Sequence, residues 1–309
     1  MRPRARARSA AVAALRRLAP MVGHDLVRRD FYGPVPDVPH ADDPIWTRPA
    51  SLVGVSLDTA AQLRFLETEL GPYLGEFHPP ETRDAEGGFH LWNGYYQAVD
   101  AEVLYAMIRH LKPRRVLEIG SGYSTLVTAA ASVRNRQQGK ASEVTAVDPE
   151  PRLPLWPPPD GLDRILPTAA EQLPLERFLE LGRGDVLFVD SSHTVKLGSD
   201  VNFLVLEVLP RLRPGVVVHF HDIFLPYEYP RAWYERGTYL AEHYLLHAFL
   251  IGNAAYEIVF AAHAVVRAHR ERVCELIPSL RSRRDHHPAA FWIARTTASA
   301  PSDTGGAPS

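Results

Sequence analysis

The chain has 309 residues, 46% hydrophobic and 23% charged, with a formal net charge of −2. That is the balance of a globular protein with material for a sizeable core, and it gives no global attraction to nucleic acid. The single cysteine, Cys274, excludes an internal disulfide and a multi-cysteine zinc site, and reads as an ordinary buried or half-buried thiol.

Residues 1–30 hold eight arginines against Asp25 and Asp30. The apolar stretch Ala10 to Leu15 is too short for a signal peptide and is cut by Arg16-Arg17. It reads as a frayed, solvated basic helix, and the sharper expectation is weak attachment to an anionic membrane surface or an acidic partner. No stretch is apolar for long enough to cross a bilayer, and a cytoplasmic location is expected. Residues 31–56, rich in Pro, Asp and aromatics, read as an irregular arm. Residues 57–75 carry Leu57, Ala61, Phe65, Leu66 and Leu70 at helical spacing. A loop ending in Trp92-Asn93-Gly94 leads into a helix over Tyr96 to His110, closed by Lys112-Pro113. The expected organisation is an N-terminal part over 1–92 (basic helix, arm and helical cap), a main domain over 93–297, and a small polar tail over 298–309 that reads as disordered.

From Arg115 onward, strands and helices alternate, the pattern of a parallel sheet covered on both faces. The expected strands are Arg115–Ile119, Glu143–Val147, Arg164–Leu166, Val186–Val189, Val216–His221, Tyr256–Ala261 and Phe291–Arg295. Expected helices include one starting over Tyr123–Ser132, then Asp200–Leu209, Tyr239–Leu250 and Ala264–Ile277. Six prolines between Asp148 and Asp160 leave no room for a full helix between the second and third strands.

The chemistry concentrates at the strand tips. Arg-Val-Leu-Glu-Ile-Gly-Ser-Gly-Tyr-Ser-Thr over 115–125 is a buried strand, a glycine turn and the start of a helix. Glycines let backbone N–H groups approach a ligand closely. Glu118 would repel a pyrophosphate but suits a cation such as S-adenosylmethionine, which carries an ammonium and a sulfonium. Glu118, Gly120, Ser121, Gly122, Ser124 and Thr125 are therefore the candidate cofactor cradle. Asp148, ending the second strand, is placed to accept hydrogen bonds from a ribose diol, and the third glycine of a dinucleotide fingerprint is missing. Asp190 in Asp-Ser-Ser-His ends the fourth strand at the ligand edge. His219-Phe220-His221-Asp222 ends the fifth, with both histidines on one face. Asp190, His221 and Asp222 are candidate ligands of a divalent ion (magnesium, manganese, iron or zinc); the competing reading is a hydrogen-bonded cluster without metal. His193 is the candidate base, His221 its substitute, and Glu242 a carboxylate expected to face the same pocket. Tyr227, Tyr229 and Trp233 are expected either to wall an acceptor site or to pack a surface loop.

On the Glu-Ile-Gly-Ser-Gly turn and Asp148, the stretch from Asn93 to Arg295 resembles the class I S-adenosylmethionine-dependent methyltransferases. Phe-Val-Asp-Ser-Ser-His and His-Phe-His-Asp-Ile-Phe-Leu-Pro look like a bacterial branch related to metal-dependent O-methyltransferases. The resemblance implies a Rossmann-like α/β fold with a seven-stranded, mostly parallel sheet whose last strand is antiparallel. It implies methylation of a hydroxyl or carboxylate on a small molecule, glycan or natural product, with assistance from a divalent metal at Asp190, His221 and Asp222. Self-association is left open. The runner-up is a metal-dependent oxygenase or hydrolase on the same sheet; a non-catalytic scaffold fits the polar strand tips poorly.

Overall fold

The computed structural model describes residues 12–27, 30–83, 88–151 and 157–296. The expected tail over 298–309 lies outside them. The chain divides into two units, one of residues 1–43 with 230–239, the other of 44–229 with 240–309. The expected boundary at 92/93 thus falls inside the second unit.

In the first unit, residues 12–18 are helical. A short turn, Ala19–Val22, follows and is closed by Gly23 in the left-handed region. A separate helix, Arg231–Glu235, is tied by an Arg231–Glu235 ion pair of 2.7 Å.

The second unit is built on a seven-stranded sheet of β1 (Arg115–Ile119), β2 (Glu143–Val147), β3 (Arg164–Leu166), β4 (Val186–Val189), β5 (Val217–Phe220), β6 (Tyr256–Ala261) and β7 (Phe291–Arg295). The order is β3-β2-β1-β4-β5-β7-β6. All neighbours pair in parallel except β7, which runs antiparallel to both β5 and β6. This is the seven-stranded, mostly parallel sheet with its last strand antiparallel that the resemblance implies. The central strands are buried almost throughout because both faces are covered. One face packs Val186, Phe188 and Trp292 against Met107 and Ile108. The other packs Leu187, Val189 and Phe220 against Leu204 and Leu246. The main helices are α1 (Thr59–Phe65), α2 (Asp100–Leu111), α3 (Tyr123–Gln137), α4 (Glu242–Leu250) and α5 (Ala262–Leu276).

Helix boundaries depart from the periodicity for identifiable reasons. The helix expected over 57–75 is α1, then a π turn Leu66–Leu70, then Gly71–Leu74. The helix expected over Asp200–Leu209 breaks the same way, into Asp200–Phe203, a π turn Leu204–Val208 and Leu209–Arg211. In both, the widened turn directly precedes a residue followed by proline, Gly71-Pro72 and Leu209-Pro210. The missing proline N–H frees a carbonyl one turn back, and the ladder widens. Helix α2 starts at Asp100 rather than Tyr96 because Asn93 ties the preceding residues into a turn. Its amide donates to the carbonyls of His90 and Tyr96, and its oxygen accepts from the N–H groups of Tyr95 and Tyr96. Helix α4 starts at Glu242 rather than Tyr239 because the Ala241 and Glu242 N–H groups bond the carbonyl of His193. Helix α5 runs straight on from β6, two residues earlier than expected. Between β2 and β3 no described residue is helical.

Candidate active site at the strand tips

The glycine turn after β1 joins two half-sites. Gly120 sits at φ +87, and a Cβ there would run into the backbone carbonyl of Asp190. The Asp190 N–H in turn donates to Ile119 O at 2.9 Å. Gly120 is therefore the contact that seats the β1 turn against the tip of β4. Gly122 is different: its backbone is extended, and a Cβ built there meets nothing within 4 Å. That open space leaves room for a ligand to approach the main chain.

Glu118 lies wholly buried beneath the turn. Its Oε1 accepts from Ser124 Oγ at 2.6 Å and Thr125 Oγ1 at 3.0 Å, while Oε2 has no partner. Burial pushes its pKa up to about 8, against the opposing pull of those two hydroxyls. Ser124 and Thr125, expected to touch cofactor, are thus turned inward and hold Glu118; Thr125 Oγ1 also accepts from Gly122 N. Ser121 donates to Asp148 Oδ2 at 2.7 Å, and the Glu150 N–H donates to Asp148 Oδ1, so the ribose candidate is fixed at the tip of β2. An unpartnered buried carboxylate oxygen, an open glycine face and an anchored second carboxylate fit a cationic nucleoside cofactor.

A second group gathers around His193. Its backbone is left-handed (φ 54), as is that of Asp222 (φ 58), a conformation uncommon outside glycine. The His193 carbonyl is held by the start of α4, and its ring by the same helix: Nδ1 lies 2.7 Å from Oε2 of Glu242, a carboxylate with no exposure. Nε2 then faces Asp190 Oδ1 at 3.1 Å and Asp222 Oδ2 at 3.5 Å. His221 stands on the other side of the same acids. Its Nδ1 is 3.5 Å from Asp190 and 3.6 Å from Asp222, and its Nε2 is 3.5 Å from Asp100. Asp100 itself accepts from the N–H groups of Ala289 and Ala290. Burial pulls both imidazoles toward neutrality, but the facing carboxylates outweigh it and raise the pKa of each well above the ordinary value. Burial also raises Glu242 and Asp222, whereas His221 and His193 hold Asp190 low despite its burial.

The candidate metal set changes in one member. The donor atoms that lie within 4.8 Å of one another belong to Asp190, His193 and Asp222. His221, expected as the imidazole ligand, lies outside that group; its ring is pinned beside Tyr96, 4.8 Å between centroids, and faces Asp100. Sequence reasoning missed Asp100 and Tyr96, which arrive from a helix start and a loop far from the strand tips. Their one signal is a tyrosine and an aspartate flanking Gln97-Ala98-Val99 at the start of a helix. His219, on the same face as His221, is a core residue: Tyr96 Oη lies 2.9 Å from its Nε2, and burial pushes its pKa well down. Tyr229 is buried and its Oη accepts from His243 N, so it packs the fold rather than walling a site. Tyr227 lies beneath the guanidinium of Arg267, 4.6 Å from ring centre. Trp233 lies in the other unit.

Residues 117–223 match the model of a methyltransferase domain family. An uncharacterized protein of Archaeoglobus fulgidus is 30% identical over 128 residues, 39% of this chain and 57% of that protein. The chain therefore spans just over half the length of that relative. Among solved structures, CmcI-N160 without ligand aligns at 15% identity and TM-score 0.40, over 72% of this chain and 91% of that one. An O-methyltransferase of Bacillus cereus in complex with SAH aligns at 14% identity and TM-score 0.33, over 78% and 92%.

Proposed function

We propose that this chain, built on the class I methyltransferase sheet, is an S-adenosylmethionine-dependent O-methyltransferase acting on a hydroxyl of a small molecule, glycan or natural product. The observation that carries the reading is the contact between Gly120 and Asp190. It sets the cofactor cradle directly against the acid–imidazole group, so donor and acceptor sites share one wall. S-adenosylmethionine, when bound, supplies a methyl group on a sulfonium centre.

The chain's own residues have two tasks. The first is placement. Glu118 offers its free oxygen to an ammonium, Asp148 offers lone pairs to a ribose diol, and the open face of Gly122 admits the ligand to the main chain. Holding two reactants in line removes much of the entropic barrier to a displacement. The second is removal of the hydroxyl proton. Asp190, His193 and Asp222 converge where an acceptor oxygen would lie, and Glu242 fixes which ring nitrogen of His193 faces it.

Cofactor binding tests the reading. S-adenosylhomocysteine at about a hundred times its dissociation constant should stabilise the protein by roughly 2.7 kcal/mol, read as a rise in Tm. Gly122→Val should abolish that rise while folding normally, because the new side chain enters open space on an extended backbone. A larger rise with NADH would overturn the methyltransferase reading.

A further inference from the structure

The edge of the sheet that carries the cradle continues past the fifth strand. The Ile223 N–H donates to Ala289 O at 3.0 Å, and the Ala262 N–H to Ala290 O at 2.9 Å. The entrance of β7 thus lies between Asp222, just before Ile223, and His263, just after Ala262. Two strand spacings, about 10 Å, separate the tips of β5 and β6. Around that outer tip stand Arg267 and Arg270 of α5, Tyr227 of the loop after β5, and Arg283 and His287 of the segment leading into β7. That segment is anchored by His286, whose Nε2 lies 2.7 Å from the Ala98 carbonyl.

The three guanidiniums are held in place without being neutralised. Arg267 lies over Tyr227, 4.6 Å from the ring centre, and Arg283 over Trp92 at 5.2 Å. Such contacts fix a guanidinium but leave its charge uncompensated. Arg270 Nη2 donates to the Arg283 carbonyl at 3.1 Å. Among the described residues none of the three has a carboxylate within 4 Å, whereas Arg109, Arg136, Arg211 and Arg272 each do. An arginine keeps its charge at any physiological pH, so the excess does not depend on titration. The neighbouring imidazoles register it. Burial lowers the pKa of His287, and His286, Arg267 and Arg270 lower it further against the opposing pull of Asp285. His263, its ring 5.6 Å from that of His287, is 6% exposed, and its Nδ1 has no hydrogen-bond partner. Burial pushes its pKa to about 3, with His287 and Arg267 adding to the effect.

We propose that Arg267, Arg270 and Arg283 form a subsite for a carboxylate or phosphate on the methyl acceptor, which is therefore an acidic molecule with its reacting hydroxyl on the order of 10 Å from its anion. The role as an acceptor subsite rests on the methyltransferase reading; the affinity for an anion does not. Guanidinium forks match the oxygens of carboxylate and phosphate, and three that are already positioned lose little freedom on binding. The two ends of the edge differ in sign. Asp190 and Asp222 face His193 at one end, and unpaired arginines stand at the other. An acidic acceptor then enters in one orientation, with its anion on the arginines and its hydroxyl toward His193, because the reverse would set an anion against two aspartates.

The first test titrates the full chain, with and without S-adenosylhomocysteine, with inorganic phosphate at physiological ionic strength. Nuclear magnetic resonance follows the side-chain N–H signals of isotope-labelled arginine. The expected result is saturable binding of one phosphate per chain, with the signals that shift being those lost in Arg267→Gln and Arg270→Gln. Each substitution should weaken phosphate about tenfold or more, the scale of a hydrogen bond to a charged group. Arg64→Gln, an exposed arginine on α1, should leave it unchanged, and circular dichroism should show that every variant folds. Affinity for S-adenosylhomocysteine should be the same in all of them; a loss in Arg267→Gln would assign the arginines to the cofactor and overturn the proposal. Binding that survives both substitutions is that of an adventitious ion and overturns it too, as does the absence of saturable binding. The second test compares aryl hydroxy acids of graded hydroxyl-to-carboxylate separation with their carboxamides, by equilibrium binding to the chain saturated with S-adenosylhomocysteine. The acids should bind about tenfold or more tighter at the best separation, and Arg267→Gln should erase the difference; no preference at any separation would overturn the acceptor role. If phosphate binds as described and S-adenosylhomocysteine does not, the anion subsite stands and the methyltransferase reading falls. If S-adenosylhomocysteine binds and phosphate does not, the subsite falls alone.

Discussion

At the scale of single residues, Glu118 couples cofactor binding to protons. Its free-state pKa of about 8 leaves it mostly protonated at pH 7, and its Oε2 has no partner. A cationic ligand favours the carboxylate, so the bound-state pKa must be lower than the free one. Binding below pH 8 therefore releases a proton, and affinity rises with pH until it levels off above about 8. Calorimetry of S-adenosylhomocysteine at pH 7 in buffers of different ionisation enthalpy should show that release, and Glu118→Gln should remove it; identical proton release in the variant would assign the effect to another group. The candidate site also concentrates backbone strain. His193 and Asp222 adopt left-handed conformations, and Val99 just before Asp100 stands at φ 63 and ψ −50, a positive φ whose cost its β-branched side chain makes higher. Each such residue costs on the order of 1–3 kcal/mol. The surrounding contacts must hold them, as the start of α4 holds the carbonyl of His193.

At the scale of elements, the N-terminal helices are fastened to the sheet by specific bonds as well as apolar packing. Gln62, buried on α1, accepts from the N–H of Ala261 at the end of β6, at 2.8 Å. Gln62→Leu keeps the volume but strands that buried donor, and should cost about 1–3 kcal/mol in urea denaturation; an unchanged midpoint would show that the bond contributes nothing net. Five of the seven strands coincide with the apolar runs by which they read in the sequence, because β1, β2 and β4 are buried runs bounded by turn residues and β6 and β7 are bounded just as sharply. The third strand is legible too, short as it is, from the prolines that precede it. The fifth is one residue shorter at each end than its apolar pattern, since Asp222 turns the chain away. Helix ends were less legible, because proline acts on the turn before it and because Asn93 and His193 capture backbone groups from a distance. The same limit applied at the site. Alternation along a strand brought out His221, whose ring faces both aspartates, but His193 meets the same two, and its direction is set by a left-handed loop residue and a carboxylate 49 positions away.

At the scale of the whole molecule, the Arg-rich N-terminal unit has its own chemistry. Leu15, Leu18, Met21 and Val22 are 55%, 57%, 79% and 71% exposed, beside Arg16 and Arg17. No described helix is long and apolar enough to cross a membrane. Apolar side chains interleaved with arginine suit the surface of an anionic bilayer. The full chain should sediment with phosphatidylserine vesicles at low salt, and a chain lacking residues 1–30 should stay in the supernatant while still binding S-adenosylhomocysteine; equal partitioning of both would end the membrane expectation. The antiparallel strand β7 has a consequence of another kind. It lies between β5 and β6 and pairs with both, yet it is the last strand to be synthesised. Until residue 295 has left the ribosome, the β5 and β6 edges that β7 will cover stay unpaired, and β6 is not yet joined to the rest of the sheet. Open edges recruit other strands. A chain stalled or cut just short of Phe291 should therefore be far more prone to aggregate than the full chain, read by light scattering, although β7 is the one strand of the described sheet that it lacks.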